Sequence, residues 1–220
     1  MKYSKEQIRN AMLLYAVTDQ SWLKDGETLL DVVKEVLKNG ATFLQIREKD
    51  LTEADFETEA KKLQDICREY HVPYVVNDNV EIAIKIGADG VHVGQSDIKG
   101  RDIRELIGSD KILGISAGTV EEAIAAEQAG ADYIGVGAVF GTSTKKNARK
   151  MSIDRLKEIV EAVNIPVVAI GGINASNMSE LAGSKVDGVA VVSAIFAAEN
   201  PGEATKDLLL KAKALVECDE

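Results

Sequence analysis

The chain has 220 residues, of which 45% are hydrophobic and 28% are charged. This composition is typical of a globular protein and excludes disordered, collagen-like and coiled-coil chains. Lysines and arginines number 26 against 36 aspartates and glutamates, a net charge of −10, which argues against a nucleic-acid or anionic-membrane partner.

Weak internal repeats mark the passage from helices to strands. Ile86–Val91 (IGADGV) recurs as Ala129–Ile134 (AGADYI), with looser copies at Leu37–Phe43 and Val186–Val189. Each copy lies after a segment with helical periodicity and before an apolar run, where glycine can close a helix and the run can form a buried strand. We therefore predict eight strands, which begin near Leu13, Ala41, Pro73, Asp89, Lys111, Asp132, Pro166 and Asp187.

Helical periodicity occupies the spaces between these strands. It extends over Glu27–Lys38, Thr52–Tyr70, Val120–Ala129 and Ser152–Val163. The helices after strands three, four and seven are predicted to be shorter, and residues 1–12 to form an extra helix before strand one.

The order of these elements predicts the fold class. Strands that alternate with helices through short connections form a parallel sheet. Thr18–Trp22 follows strand one without the glycines of a dinucleotide-binding turn. This favours a closed (βα)₈ TIM barrel over an open doubly wound sheet. We expect residues 1–220 to form a single barrel domain of this kind.

Polar residues interrupt the apolar runs at the carboxyl ends of the predicted strands, which is the end that carries the active site in (βα)₈ barrels. Core packing does not require this distribution, whereas a functional site does. The polar residues in question are Thr18, Asp19, Gln45, Arg47, Glu48, Lys49, Asn77, Asp78, Gln95, Asp97, Ser116, Thr142, Ser143, Thr144, Lys145 and Ser193, and Gly172 lies at the same end.

Two aspartates and two basic residues suggest how this end could bind anions. Asp78 and Asp97 follow neighbouring strands, and two carboxylates brought together there would suit Mg²⁺. Each aspartate could instead form a turn or cap a helix. Lys49 and Arg47 could neutralise phosphate oxygens, although Arg47 could equally pair with Glu48 or Asp50.

A phosphate site is predicted where strands seven and eight end. Gly171–Gly172 and Val192–Ser193 occupy the usual phosphate position of these barrels. Thr142–Lys150 forms a long, polar loop after strand six, either a mobile lid or a solvated basic loop. His92, within strand four, is predicted to be a packed, hydrogen-bonded residue.

Eight short motifs together resemble thiamine phosphate synthase, in that family's order and over residues 15–193. They are Tyr15–Asp19, Gln45–Lys49, Val76–Asp78, Gly90–Asp97, Leu113–Ser116, Phe140–Lys145, Ala169–Ile173 and Val192–Ser193. The resemblance implies a transferase that joins hydroxymethylpyrimidine diphosphate to a thiazole phosphate and releases pyrophosphate. It also implies a Mg²⁺ cofactor held by Asp78 and Asp97.

The resemblance also implies a role for each remaining motif residue. Lys49, Ser116 and Lys145 would act in catalysis on the diphosphate and the reacting carbon. Gln45, Arg47 and Asn77 would bind the pyrimidine diphosphate together with these three. The thiazole phosphate would lie against Thr142, Ser143, Thr144, Gly172, Val192 and Ser193.

Three alternatives stay open at this point. A thiazole tautomerase resembles a synthase that has lost its diphosphate residues, but it carries a histidine near the strand-six loop that this chain lacks. A barrel that binds thiamine precursors without catalysis would have little use for Lys49, Asp78, Asp97 and Lys145. Another phosphate-binding barrel, such as an epimerase or a tryptophan- or histidine-pathway isomerase, would need an acid–base pair, for which Asp78 with Asp19 or Asp97 could serve.

Location and assembly are less constrained. Two cysteines are too few for a disulfide framework, and residues 188–198, the longest uncharged apolar stretch, are too short to span a bilayer. The first residues contain no apolar signal core. We expect a cytoplasmic enzyme that acts on small molecules, and the sequence leaves open whether it forms a homo-oligomer.

Overall fold

A computed structural model describes residues 3–141 and 151–218. Eight parallel strands form a closed barrel in sequence order, with β8 paired to β1. The strands are β1 Leu14–Val17, β2 Phe43–Ile46, β3 Tyr74–Asn77, β4 Gly90–Val93, β5 Ile112–Ala117, β6 Tyr133–Gly137, β7 Val167–Ile170 and β8 Gly188–Val191. The predicted TIM barrel is confirmed, and each strand begins one or two residues after its predicted start.

The helices surround the barrel. They are α1 Lys5–Ala11, α2 Leu29–Lys38, α3 Glu53–Glu69, α4 Val80–Ile86, α5 Ile103–Ile107, α6 Val120–Gln128, α7 Ile153–Glu161, α8 Ser193–Phe196 and α9 Pro201–Glu217, with 3₁₀ turns at Gln20–Trp22 and Met178–Leu181. The short elements after β3, β4 and β7 agree with the prediction. Among the described residues, no helix combines the length and apolar character needed to cross a membrane.

Side-chain caps explain where several helices begin. The Thr28 hydroxyl accepts a hydrogen bond from the backbone N–H of Asp31, and Thr52 caps α3 in the same way. Such a cap satisfies an N–H group that lacks a partner within the helix and contributes about 1 kcal/mol. A helix end is marked as well: after the last residue of α4, Gly87 takes a left-handed conformation with φ +65°, as its place in the repeat predicts.

Aromatic side chains and the N-terminal segment fill the barrel interior at the end where the strands begin. Tyr15, Phe43 and Tyr133 pack inside the barrel, in one cluster with Ile8 and Met12 from the N-terminal segment. Helix α1 therefore closes the end at which the strands begin. The opposite end, where the strands finish, is the end at which the predicted site residues lie.

Candidate active site

The structure brings two carboxylates together at the carboxyl ends of neighbouring strands. Asp78 directly follows β3, and Asp97 lies in the loop after β4. The pKa of the Asp78 carboxyl is raised, first because surrounding protein atoms displace water and second because the Asp97 carboxylate lies beside it. Lys49, after β2, acts in the opposite direction through its positive charge, as does a hydrogen bond from Asn77. Four residues from three strand ends thus form one polar cluster.

Asp97 also stabilises its own loop. Its Oδ2 accepts a hydrogen bond from the backbone N–H of Gly94 at 2.9 Å, and its N–H donates to the Gly94 carbonyl. The interpretation as a turn former is therefore correct for this residue. The same turn holds the carboxylate against Asp78, so the structural and the ligand interpretations are compatible.

An open cavity of about 430 Å³ lies beside this cluster, between the loop after β2 and the start of α4. Its lining includes Lys49, Asn77 and Asp78 from the predicted site, together with Glu48 and Glu81. Because the lining is mostly polar and carries charges of both signs, the cavity suits a charged ligand bound with a cation better than an apolar ligand.

Gln45 and Ser116 lie deeper, at positions of β2 and β5 whose side chains point into the barrel. Gln45 is buried, and its Nε2 donates to the Tyr15 hydroxyl at 2.5 Å. The Ser116 hydroxyl oxygen lies 3.0 Å from His92 Nε2, and His92 is buried as predicted. Both predicted binding residues are therefore held by hydrogen bonds from the barrel interior.

Glu48 has surroundings that the sequence did not indicate. Its Oε1 accepts from the Thr18 hydroxyl at 2.5 Å, and its Oε2 accepts from the backbone N–H of Gln20 at 3.0 Å. Burial raises the pKa of this carboxyl to about 7, against the effect of these two hydrogen bonds. Through its two hydrogen bonds Glu48 connects the loops after β1 and β2. Arg47 contributes its backbone N–H, which donates to the same Thr18 hydroxyl.

The predicted phosphate position lies at the adjacent ends of β7 and β8. Gly172 follows β7, Val192 follows β8, and Ser193 begins α8. Gly172 and Ser193 are exposed. Gly172 has φ +70°, and a Cβ atom built on it would lie 2.0 Å from the carbonyl oxygen of Gly141. Only glycine fits this close approach between the loops after β6 and β7.

The loop after β6 carries the remaining predictions. Thr142, Ser143, Thr144 and Lys145, and the proposed lid over Thr142–Lys150, lie outside the described residues.

Comparison with known proteins identifies the family. The family described as thiamine monophosphate synthase matches residues 14–195. The chain belongs to this family. The resemblance found in the sequence is confirmed, and the family is one of transferase enzymes.

Close relatives support the family assignment over almost the whole chain. A thiamine-phosphate synthase of Methanobrevibacter smithii is 49% identical over 201 residues, which cover 91% of this chain and 95% of the relative. One from Clostridium tetani is 46% identical over 195 residues, or 89% of this chain and 93% of the relative. A solved structure, the thiamine phosphate pyrophosphorylase of Pyrococcus furiosus, has a TM-score of 0.86 at 38% identity and covers 94% of this chain and 98% of its own.

Two groups in this member of the thiamine monophosphate synthase family were missed by sequence reasoning. The first is the pair of buried tyrosines, Tyr15 and Tyr133, whose hydroxyl oxygens lie 2.8 Å apart. Their alternation with outward-facing residues in β1 and β6 is the signal that would have placed them inside the barrel. The second is Glu48, which the sequence placed at the end of strand two and as an ion-pair partner for Arg47, but not as a partly buried carboxyl bound to Thr18 and Gln20.

Proposed function

We propose that this protein is a thiamine-phosphate synthase. It joins 4-amino-2-methyl-5-hydroxymethylpyrimidine diphosphate to a thiazole phosphate, giving thiamine phosphate and pyrophosphate, with loss of CO₂ when the thiazole is carboxylated. The observation that carries this proposal is the contact between Asp78 and Asp97 with Lys49 beside them. Two adjacent ionised carboxylates repel each other, a cation between them relieves this repulsion, and a cation beside a lysine suits a diphosphate.

Asp78 and Asp97 fit a Mg²⁺ site by their chemistry. Both offer hard carboxylate oxygens, the ligands that Mg²⁺ prefers. Within residues 3–141 and 151–218, no three acidic, histidine or cysteine side chains converge as a metal site. These two aspartates would therefore supply the protein ligands, beside the diphosphate and water. When bound, the ion would neutralise negative charge on the leaving group.

The protein residues around the diphosphate act by charge and position. In this proposal Lys49 and Lys145 contact the diphosphate oxygens, and Arg47 assists from the end of β2. The bond between the pyrimidine methylene carbon and the diphosphate oxygen breaks, and its electron pair leaves with pyrophosphate. Because the aminopyrimidine ring stabilises the resulting cation, the reaction needs no nucleophilic side chain and no general base.

Binding of the two rings brings the reacting atoms together. Gln45 and Asn77 would hold the pyrimidine, and Ser116 would lie near its reacting carbon and the pyrophosphate. The thiazole nitrogen then forms the new bond to that carbon. Its phosphate would lie against Thr142, Ser143, Thr144, Gly172, Val192 and Ser193. The loop Thr142–Lys150 would exclude water from the cation.

Location and domain organisation belong to the same proposal. The match to the family and its relatives runs over most of the chain, which supports one barrel domain. Only two cysteines occur, which fits a reducing cytoplasm.

The deciding experiment is a direct assay. The purified protein is incubated with both substrates and Mg²⁺, and pyrophosphate and thiamine phosphate are measured, with EDTA-treated protein and Lys145→Ala alongside. We expect product that disappears with EDTA and falls sharply in the variant. Folded protein that forms no product would overturn the proposal. The thiazole tautomer alone would then be offered, to test for a tautomerase.

A further inference from the structure

A chain of hydrogen bonds crosses the barrel interior and joins two of the proposed substrate-binding residues. Gln45 Nε2 donates to the Tyr15 hydroxyl, which lies 2.8 Å from the Tyr133 hydroxyl. The Tyr133 hydroxyl lies 2.9 Å from His92 Nδ1, and His92 Nε2 lies 3.0 Å from the Ser116 hydroxyl oxygen. Gln45 and Ser116 are the two ends of this chain. The three residues between them have no role in the proposed function so far.

The direction of these bonds follows from the donor at Gln45. Because the Tyr15 oxygen accepts from the amide, its own proton is directed to Tyr133, whose proton is directed in turn to His92 Nδ1. Nδ1 accepts only when the neutral ring carries its proton on Nε2. That Nε2–H then donates to the oxygen of Ser116. The Ser116 hydroxyl is left to donate its proton to a bound molecule.

The two ends of the chain are coupled. Reversal of the chain would turn the Gln45 amide so that its oxygen accepts from Tyr15. Ser116 would then donate to His92 and offer only lone pairs to a ligand. The buried residues thus determine, at a distance from the substrate, which groups of Gln45 and Ser116 donate hydrogen bonds and which accept them.

Burial and close packing keep this arrangement in place. Burial raises the pKa of both the Tyr15 and the Tyr133 hydroxyl, so both phenols keep their protons. Gly114 leaves room for the ring pair, since a Cβ atom there would lie 2.3 Å from the Tyr133 hydroxyl and 2.5 Å from His92 Nδ1. The rings of His92 and Tyr133 lie 5.5 Å apart between centroids.

We propose that Tyr15, Tyr133 and His92 are positioning residues that fix Ser116 as a hydrogen-bond donor to the departing pyrophosphate and fix the orientation of the Gln45 amide toward the aminopyrimidine. A donor at Ser116 stabilises negative charge as it develops on the leaving group, whereas a lone pair there would oppose it. This inference rests on the proposed synthase function and adds the residues that set the polarity of its site.

The first test reads the ring proton directly. The protein has two histidines, and the variant His71→Asn leaves His92 as the only one. In ¹⁵N NMR of this variant without substrate, we expect a neutral His92 ring with its proton on Nε2. Addition of Tyr133→Phe, which removes the donor to Nδ1, is expected to change the Nδ1 signal. A ring protonated on Nδ1 alone, or on both nitrogens, would overturn the proposed polarity.

The second test compares two buried tyrosines. Tyr74 is as buried as Tyr133, but its hydroxyl donates to the Ala60 carbonyl and takes no part in the hydrogen bonds between Gln45 and Ser116. Tyr133→Phe is expected to lower kcat about tenfold with a smaller change in KM for the pyrimidine diphosphate, the size of effect expected for one lost hydrogen bond. Tyr74→Phe is expected to stay within about twofold. Equal kcat in the two variants would contradict the proposal.

A double-mutant cycle tests whether Tyr133 acts through Ser116. In a Ser116→Ala background, Tyr133→Phe is expected to have little further effect on kcat. An equal loss of kcat in both backgrounds would show that Tyr133 does not act through Ser116, which would overturn that part of the proposal and leave the proposed function intact. A wild-type protein without synthase activity would overturn the proposed function and the catalytic role of Tyr15, Tyr133 and His92. The ring-proton measurement would still decide the direction of the hydrogen bonds.

Discussion

The Asp78 carboxyl lies against the Asp97 carboxylate, although the two residues follow different strands. Their repulsion helps to raise the pKa of Asp78, so the ionised pair reduces the stability of the metal-free protein near neutral pH. A cation between them would relieve this repulsion. The same contact therefore links stability to the proposed function.

Asp78→Asn should separate these two effects. The backbone at Asp78 has φ +61°, a conformation that asparagine tolerates well, so the substitution removes charge without new backbone strain. At pH 7 without Mg²⁺ we expect Tm to rise by about 2 °C, because Asp78 keeps partial contact with water and the screened repulsion is worth about 1 kcal/mol or less. We expect the synthase activity to be lost, together with any rise in Tm on addition of Mg²⁺.

The control for this variant is Asp110→Asn, which removes an exposed charge in a surface turn. Its Tm, activity and response to Mg²⁺ should match the wild type. A lower Tm for Asp78→Asn, or full activity with normal Mg²⁺ dependence, would contradict the assignment of Asp78 as a metal ligand.

Gly172→Ala should damage the proposed thiazole-phosphate position. Its Cβ would meet the Gly141 carbonyl oxygen at 2.0 Å, at a backbone φ of +70°. Gly87→Ala is the matched control, because Gly87 has φ +65° and no atom within 4 Å of the added Cβ. The control should lose about 1–2 kcal/mol of stability from φ alone.

In Gly172→Ala the two loops must also move apart, so KM for the thiazole phosphate should rise at least about tenfold, a loss of 1.4 kcal/mol or more in binding. KM for the pyrimidine diphosphate should change less. Chemical denaturation and steady-state kinetics on both variants test this. Equal KM values in the two variants would show that the close approach does not shape the phosphate position.

Much of the fold could be predicted because each strand is a short apolar run, and four of the eight strands, β2, β4, β6 and β8, coincide with a copy of the glycine-containing repeat. The approach of Asp78 to Asp97 could also be predicted, since parallel strands end at the same face of the barrel. Helix α9 was not predicted as a separate element. Pro201 at its first turn and the Asn200 cap are the local signals that mark its start.

The properties of Glu48 and of the hydrogen bonds that connect Gln45 to Ser116 could not be predicted in the same way. The pKa of Glu48 depends on its burial and on contacts with Thr18 and Gln20 from another strand end. The link between His92 and Tyr133 depends on strand register: Gly114 pairs with both His92 and Tyr133 across β5. Neither relation lies within a single motif.

Lys49→Met should weaken binding of the diphosphate substrate. Lys49 is exposed at the cavity beside Asp78, where its ammonium group can approach an anionic ligand as a point charge. We expect kcat/KM for the pyrimidine diphosphate to fall about 100-fold, a size typical for loss of one charged group that stabilises a leaving group. Steady-state kinetics against Lys34→Met, an exposed lysine on α2, provides the comparison. Similar kinetics for the two variants would remove Lys49 from the proposed site.

Glu48 should make stability depend on pH in a defined window. Burial raises its pKa from 4.5 to about 7, so between these values the folded protein binds more protons than the unfolded chain does. The contribution of Glu48 to stability therefore falls as pH rises from about 4.5 to 7, and the loss is complete above pH 7. Glu48→Gln stays neutral throughout this range.

Relative to the wild type, Glu48→Gln should consequently gain about 1–2 kcal/mol in free energy of unfolding between pH 5 and pH 8, after allowance for partial contact with water. At pH 5 the variant should be the less stable of the two, because an amide nitrogen cannot accept from Thr18 or Gln20 as a carboxyl oxygen does. Urea denaturation at both pH values measures this, with Glu69→Gln, an exposed residue at the end of α3, as the control. Parallel pH curves for the wild type and Glu48→Gln would show that this carboxyl does not carry a raised pKa in the folded protein.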